Sequence, residues 1–260
     1  MIAVHSATAL VATTMPATFS SFSTARLQSG RGGSNIPTIM DAVALKDLAK
    51  TCWTTLEDLS PWKDSDSADA ARAAKTAQQN AILTLLKDQL QKCADCCAVV
   101  AWMQLRGRGI SPGDSATLFA SAYQSCLDGS HIGQFLLGYM YGFLGPIFWE
   151  HCDSSIGMVG RNKVEAIRLL TLAKEPVFMR PTASFFLGLL HELDGNIASA
   201  KPLYAECPEH PLALFALSNC QSDSKQASAL KVEANRLGYQ RLKDAYFWFH
   251  GRGTGCDLSP

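Results

Sequence analysis

The residues whose types and spacing best support chemistry are Cys93, Cys96 and Cys97, the only cysteine cluster of the chain. A Cys-x-x-Cys spacing can ligate zinc or exchange thiols with a disulfide. Zinc needs two further ligands, and His151 with Cys152 form the nearest compact pair. The alternative is that the cysteines are small side chains buried at a helix junction. Nine cysteines spread over 260 residues favour reduced, buried thiols, so we expect no bound metal and no cofactor.

The remaining candidates for chemistry are weaker. His191 and Glu192 place a base beside a carboxylate, but neighbouring positions on a helix point in different directions. A nucleophile with its base therefore cannot be assembled from the spacing. The Gly-Arg-Gly turns at 107–109 and 251–253 lack the preceding strand of a phosphate-binding loop. The sequence predicts a protein that is not an enzyme.

Charge and hydropathy limit the classes of partner. The chain has 23 basic and 23 acidic residues, a formal net charge of zero, and no dense run of Lys or Arg. This balance disfavours nucleic acid as a partner. The longest uncharged stretch, 129–149, is interrupted by glycines and by Pro146, so we expect no membrane span.

Residues 1–40 differ in composition from the rest of the chain. They contain no Asp or Glu, twelve Ser or Thr, and two arginines, Arg26 and Arg31. This composition is typical of transit peptides, and predicts a mitochondrial or other organellar location. The alternatives are a disordered tail, or translation that starts at Met40 and leaves the protein in the cytoplasm.

Apolar spacing predicts helices throughout the rest of the chain, with no strand-like alternation. A first helix is expected over Asp41–Leu59, and a long Ala-rich helix should begin near Asp64 and reach about Cys93. These two form an N-terminal helical pair over 41–93. Helical hairpins are then expected over 94–260, with a long insertion at Gly145–Arg161 and a last helix over Leu242–His250.

The hairpins share a recurring pattern in which an apolar or small pair precedes a glycine turn. The pattern occurs at Val100-Ala101, Leu137-Gly138 and Leu187-Gly188, and returns in degenerate form near Ala245. The first unit, with its Gly107-Arg108-Gly109-Ile110 turn, Asp114 and closing Gly129, resembles a Sel1-like repeat. The third unit resembles a tetratricopeptide repeat through Gly188, Ala200 and Tyr204. The resemblance covers about 95–253.

That resemblance implies a right-handed α-α superhelix whose first helices line a concave surface that binds other proteins. Carried over position by position, it assigns partner binding to Trp102, Arg106, Phe135, Tyr139, Phe143, Phe185, Leu189, Glu192, Tyr246 and His250. Leu105 and Phe249 occupy further matching positions. The alternative is that the aromatic residues pack between neighbouring helices.

The function predicted from these features is a scaffold, either an adaptor or an assembly factor, that binds a peptide or a partner protein. One alternative is an organellar assembly factor that depends on zinc or on the thiols of Cys93, Cys96 and Cys97. Another is a structural subunit of a larger complex, stacked through an open C-terminal half unit.

Overall fold

The computed structural model describes residues 42–58, 68–90, 92–106, 114–144 and 160–239. Within these ranges the chain forms ten α-helices and no strand, which confirms the all-α prediction. The helices are α1 Ala42–Asp58, α2 Ala68–Lys87, α3 Ala94–Leu105, α4 Ser115–Leu127, α5 His131–Phe143, α6 Lys163–Ala173, α7 Arg180–Leu193, α8 Ile197–Ala205, α9 Pro211–Asn219 and α10 Ser224–Arg236. The predicted tail, most of the 145–161 insertion and the predicted last helix lie outside the described residues.

Short polar side chains start five of these ten helices. Asp114, Ser130, Asn162, Asn196 and Asp223 each accept a hydrogen bond from a backbone N–H in the first turn of α4, α5, α6, α8 and α10. Such caps satisfy N–H groups that have no partner within the helix. Because capping is decided within a few residues, these starts could be predicted from the sequence.

The helices pack in chain order. The hairpins α3–α4, α5–α6, α7–α8 and α9–α10 follow one another, and each hairpin contacts the next. The first helices α3, α5 and α7 also contact each other in succession. This arrangement is compatible with stacked helical hairpins, while a right-handed superhelix stays a prediction.

Two glycines of the third hairpin have distinct structural reasons. Gly195, in the turn between α7 and α8, has a φ of +74°, which a side chain would strain. Gly188 lies where α7 approaches α8, and a Cβ there would come within 2.8 Å of Tyr204 Cε1. The hairpin therefore closes on the tyrosine ring only because residue 188 has no side chain.

Helix α2 ends earlier than predicted. Its apolar spacing predicts a helix reaching about Cys93, but α2 ends at Lys87 and a turn follows. Cys93 has extended backbone angles, φ −145° and ψ 113°, because it is the N-cap of α3. A residue that caps the next helix cannot continue the previous one, so the chain must break before it.

None of the helices within the described ranges combines the length and apolarity needed to cross a bilayer.

Candidate functional site

Aromatic side chains from four helices form a continuous cluster along the first helices of the hairpins. We call this the aromatic cluster: Trp53 of α1, Trp102 of α3, Phe135, Tyr139 and Phe143 of α5, and Phe186 of α7. Trp102 meets Tyr139 edge to face at 5.3 Å between ring centroids, and Tyr139 meets Phe186 in the same way at 5.2 Å. Such edge-to-face pairs add stability beyond the area they bury.

Helix α1 packs against the part of this cluster that Trp102 and Phe135 supply. Trp53 is fully buried, with its ring centroid 5.3 Å from that of Phe135 and 5.9 Å from that of Trp102. The ammonium of Lys50, also on α1, lies 5.7 Å from the centre of the Phe178 ring. The apolar face of α1 is buried as predicted from its spacing, at Leu45, Leu48, Ala49, Cys52 and Leu56. An amphipathic helix thus occupies the surface that the resemblance assigned to a partner.

Most of the residues predicted to bind a partner are therefore buried in this structure. No more than 3% of the side chain is exposed at Trp102, Phe135, Tyr139, Phe143, Phe185 and Leu189. This burial favours the alternative interpretation, in which these side chains pack between helices. Their role in partner binding stays a prediction, since a partner would reach Trp102 or Phe135 only in place of α1.

The two charged residues of the predicted set lie at the ends of their helices. Arg106 is exposed, and its guanidinium carbon lies 5.4 Å from the centre of the Trp102 ring. Glu192, on α7, accepts a hydrogen bond from the hydroxyl of Tyr204 on α8. Arg106 thus borders the aromatic cluster, whereas Glu192 joins the two helices of a hairpin. Tyr246 and His250 lie outside the described residues.

The aromatic cluster contains two indole N–H groups whose burial cannot be predicted from the sequence pattern. The indole N–H groups of Trp53 and Trp102 are buried, and neither has a hydrogen-bond partner among the described residues. A buried donor without an acceptor costs about 1–3 kcal/mol. The contact between α1 and α3 is therefore incomplete in hydrogen bonding.

At the other end of α3, the cysteine cluster has a defined geometry. Cys93 caps the helix, and its Sγ accepts a hydrogen bond from the backbone N–H of Cys96 at 3.5 Å. Cys96 is fully buried, and its Sγ lies 3.7 Å from the carbonyl oxygen of Leu45 on α1, to which the thiol can donate. Cys97 is partly exposed. The Cys-x-x-Cys spacing thus places the thiol of Cys93 at the start of α3 and the buried thiol of Cys96 in its first turn.

The environment separates the acidities of the two thiols. Hydrogen bonds from the Cys96 side chain and backbone lower the pKa of Cys93 to about 6, against the opposing effect of burial. The hydrogen bond to Cys93, together with burial, raises the pKa of Cys96. Burial alone raises the pKa of Cys52, on α1, to about 12. This environment therefore favours the thiolate form of Cys93 and the protonated form of Cys96.

A cavity of about 550 Å³ opens beside Cys93. Side chains of both charges line it: Lys46 from α1, Lys92 before α3, Asp95 of α3 and Asp128 after α4. Ser130 also lines the cavity. Its hydroxyl donates a hydrogen bond to the Asp95 carboxylate and caps α5 by accepting one from the backbone N–H of Gly133. Residues from three segments that are distant in sequence line this cavity, so no motif in the sequence predicts it.

Within the described ranges, no three His, Cys, Asp or Glu side chains are grouped to hold a metal ion. His151 and Cys152, which the zinc hypothesis requires, lie outside those ranges.

Comparison with known proteins adds no family assignment. No protein-family model matches the chain, and no curated protein matches its sequence. The similarity to Sel1-like and tetratricopeptide repeats therefore stays a resemblance carried by the quoted residues.

Proposed function

We propose that this protein is a non-enzymatic scaffold that holds a helical segment of a partner protein against the first helices of its hairpins. The observation that supports this proposal is the position of α1. An amphipathic helix already lies on the aromatic cluster, in contact with Trp102 and Phe135 through Trp53. A surface that accepts one amphipathic helix has the shape and apolarity to accept another.

The partner implied by this surface has a definable pattern. On α1 the buried positions Leu45, Leu48, Cys52, Trp53 and Leu56 form one helical face. A partner helix needs large apolar side chains with the same spacing, since helix-in-groove recognition depends on residues at i, i+3, i+4 and i+7. The partner replaces α1 on the aromatic cluster.

Incomplete hydrogen bonding gives a reason why α1 can be replaced. Its presence leaves the indole N–H groups of Trp53 and Trp102 buried without acceptors in the described part of the chain. A partner helix with an amide or carboxylate oxygen beside Trp102 satisfies one donor and returns Trp53 to water. Each satisfied donor recovers part of the cost of about 1–3 kcal/mol for an unpaired buried group.

The experiment weakens α1 in the full-length chain and supplies the same helix as a separate peptide. Trp53→Ala removes the largest contact of α1 and is expected to destabilise its packing by about 3–5 kcal/mol. A fluorescent peptide of residues 42–58 should then bind the Trp53→Ala chain, measured by anisotropy, and bind the unchanged chain far more weakly.

Matched controls separate release of α1 from general damage. Val43→Ala changes a residue of the same helix that is 69% exposed, so that chain should behave as the unchanged one. A peptide carrying Trp53→Ala should not bind. If the Trp53→Ala chain keeps its helical circular dichroism but does not bind the unchanged peptide, the aromatic cluster is a fixed core and the proposal is wrong.

A further inference from the structure

The thiols at the start of α3 carry an inference that is independent of the proposed scaffold role. We propose that Cys93 and Cys96 form a reversible dithiol–disulfide site that exchanges with a small peptide disulfide of the glutathione type. The inference rests on three geometric observations: the sulfur of Cys93 accepts a hydrogen bond from the backbone of Cys96, Cys93 lines a cavity, and the cavity has charges that complement a zwitterionic peptide.

The first observation is the pairing of the thiols. Cys93 precedes the first turn of α3 and Cys96 lies within that turn, so both side chains lie on the same side of the helix start. The backbone N–H of Cys96 donates to Cys93 Sγ at 3.5 Å. A thiolate is the form that attacks a disulfide, and N–H donors at a helix start stabilise it.

The second observation is the unequal access to the two sulfurs. Cys93 is 8% exposed and lines the cavity of about 550 Å³, whereas Cys96 is fully buried and does not line it. An incoming disulfide therefore meets Cys93 first. Cys96 lies behind it, where it can attack the Cys93 sulfur once that sulfur is bonded to the peptide.

The third observation is the charge of the cavity. Lys46 and Lys92 supply positive charge, and Asp95 and Asp128 supply negative charge. A glutathione-type peptide has carboxylates and an ammonium group, which fit such a mixed lining. The volume lies within the range of small-molecule sites.

The exchange balances in two steps. First, the Cys93 thiolate attacks one sulfur of the peptide disulfide, so that a bond from Cys93 to that sulfur forms, the peptide disulfide bond breaks, and one peptide leaves as a thiolate. Next, Cys96 gives its proton to that leaving thiolate, and its sulfur attacks the sulfur of Cys93. The Cys93–Cys96 disulfide forms and the second peptide leaves as a thiolate, which takes a proton from solvent. The two protein thiols are oxidised and one peptide disulfide is reduced to two thiols.

The test follows the thiols of the reduced, full-length chain in mixtures of reduced and oxidised glutathione. After the reaction is stopped with N-ethylmaleimide, peptide mass mapping should show a Cys93–Cys96 disulfide that increases with the oxidised share and disappears with excess reduced glutathione. In a Cys96→Ser chain the reaction should stop at a mixed disulfide between glutathione and Cys93. Absence of the Cys93–Cys96 disulfide in every mixture overturns the proposal.

Control variants keep this test decisive. Cys97→Ser changes the neighbouring thiol that lines the same cavity, and should leave the Cys93–Cys96 disulfide unaffected. Cys93→Ser retains a side chain that caps α3, so this chain should fold but form neither the disulfide nor a mixed disulfide at Cys96. If glutathione instead reacts with Cys96 or Cys97 in the Cys93→Ser chain at the unchanged rate, the role given to Cys93 is wrong.

Recognition of the peptide is tested by a second oxidant. Hydroxyethyl disulfide has the same reacting bond but no charge, and should react with Cys93 about tenfold more slowly than oxidised glutathione if the charged cavity attracts the peptide. The Lys46→Gln variant should reduce that difference. Equal rates for the two oxidants would overturn the assignment of the cavity as a peptide site.

Discussion

Cys93 and His210 each begin a helix, and the comparison between them separates a reactive group from a structural one. Cys93 caps α3 and accepts the N–H of Cys96, while His210 caps α9 and accepts the N–H of Ala213 through Nδ1 at 3.3 Å. The pKa is lowered in both cases, from 9.0 to about 6 for Cys93 and from 6.5 to about 4 for His210. The causes differ.

The cause of each shift predicts how the group is used. Hydrogen bonds to the sulfur lower the pKa of Cys93, so they stabilise its charged form beside an open cavity. Burial lowers the pKa of His210, so it disfavours the charged form, and the imidazole stacks on Phe185 at 4.4 Å between ring centroids. A charged nucleophile beside a cavity can react, whereas a neutral ring stacked on a phenyl ring holds a helix end in place.

The largest expected effect that tests this comparison is acid destabilisation through His210. Its pKa is 6.5 when unfolded and about 4 when folded, so the unfolded chain binds the proton first as the pH falls. Stability should decrease as the pH falls from 6.5 to about 4, by at most about 3 kcal/mol from this group. The urea midpoint at neutral pH and near pH 4 measures the decrease.

The control for this prediction is His210→Asn, which keeps an acceptor for the Ala213 N–H but does not titrate. The variant should lose less stability than the unchanged chain between neutral pH and pH 4. An equal loss in both chains would show that His210 does not control the acid response.

A smaller effect is expected from the cap at Cys93. Cys93→Ala leaves the N–H of Cys96 without its acceptor and should lower the free energy of unfolding by about 1 kcal/mol. Cys93→Ser keeps an acceptor, and should remain within about 0.5 kcal/mol of the unchanged chain. Urea unfolding at neutral pH gives both values, and equal losses in the two variants would argue against a capping role.

The smallest expected effect is also the most specific to Cys93. It concerns the rate at which the Cys93 thiol is alkylated at different pH values, and not the stability of the fold. Because the thiolate reacts, the rate at Cys93 should rise with pH and reach half its maximum near pH 6. Iodoacetamide rates resolved by peptide mass mapping measure this. In a Cys96→Ala chain the midpoint should move up toward the ordinary thiol value, since the largest cause of the shift is removed. An unchanged midpoint in that chain would assign the acidity of Cys93 to another cause.

The parts of the fold that depend on neighbouring residues were predictable. The first helix was predicted over Asp41–Leu59, and α1 spans Ala42–Asp58 within that range. Apolar periodicity and capping act over one or two turns, so they are visible in a window of sequence. The sequence prediction extended α2 too far, to about Cys93, because it did not identify Cys93 as the N-cap of the following helix.

The candidate sites were less predictable because each needs contacts between distant segments. The structure buries Trp53 of α1 completely against Trp102 and Phe135. Periodicity defines the apolar face of a helix but not the surface that the face covers. The cavity beside Cys93 likewise brings Lys46 and Asp128 together across more than eighty residues of sequence.

The sequence by itself determined that the described chain is helical, where its helical hairpins lie, and which thiols are close in sequence. Only the tertiary structure decided that α1 lies on the aromatic cluster, that its contact leaves two indole N–H groups unpaired among the described residues, and that Cys93 faces a cavity while Cys96 does not. The physical reason is the range of the interactions. Backbone hydrogen bonds and caps act between near neighbours, whereas burial and charge at a site depend on every segment that packs around it.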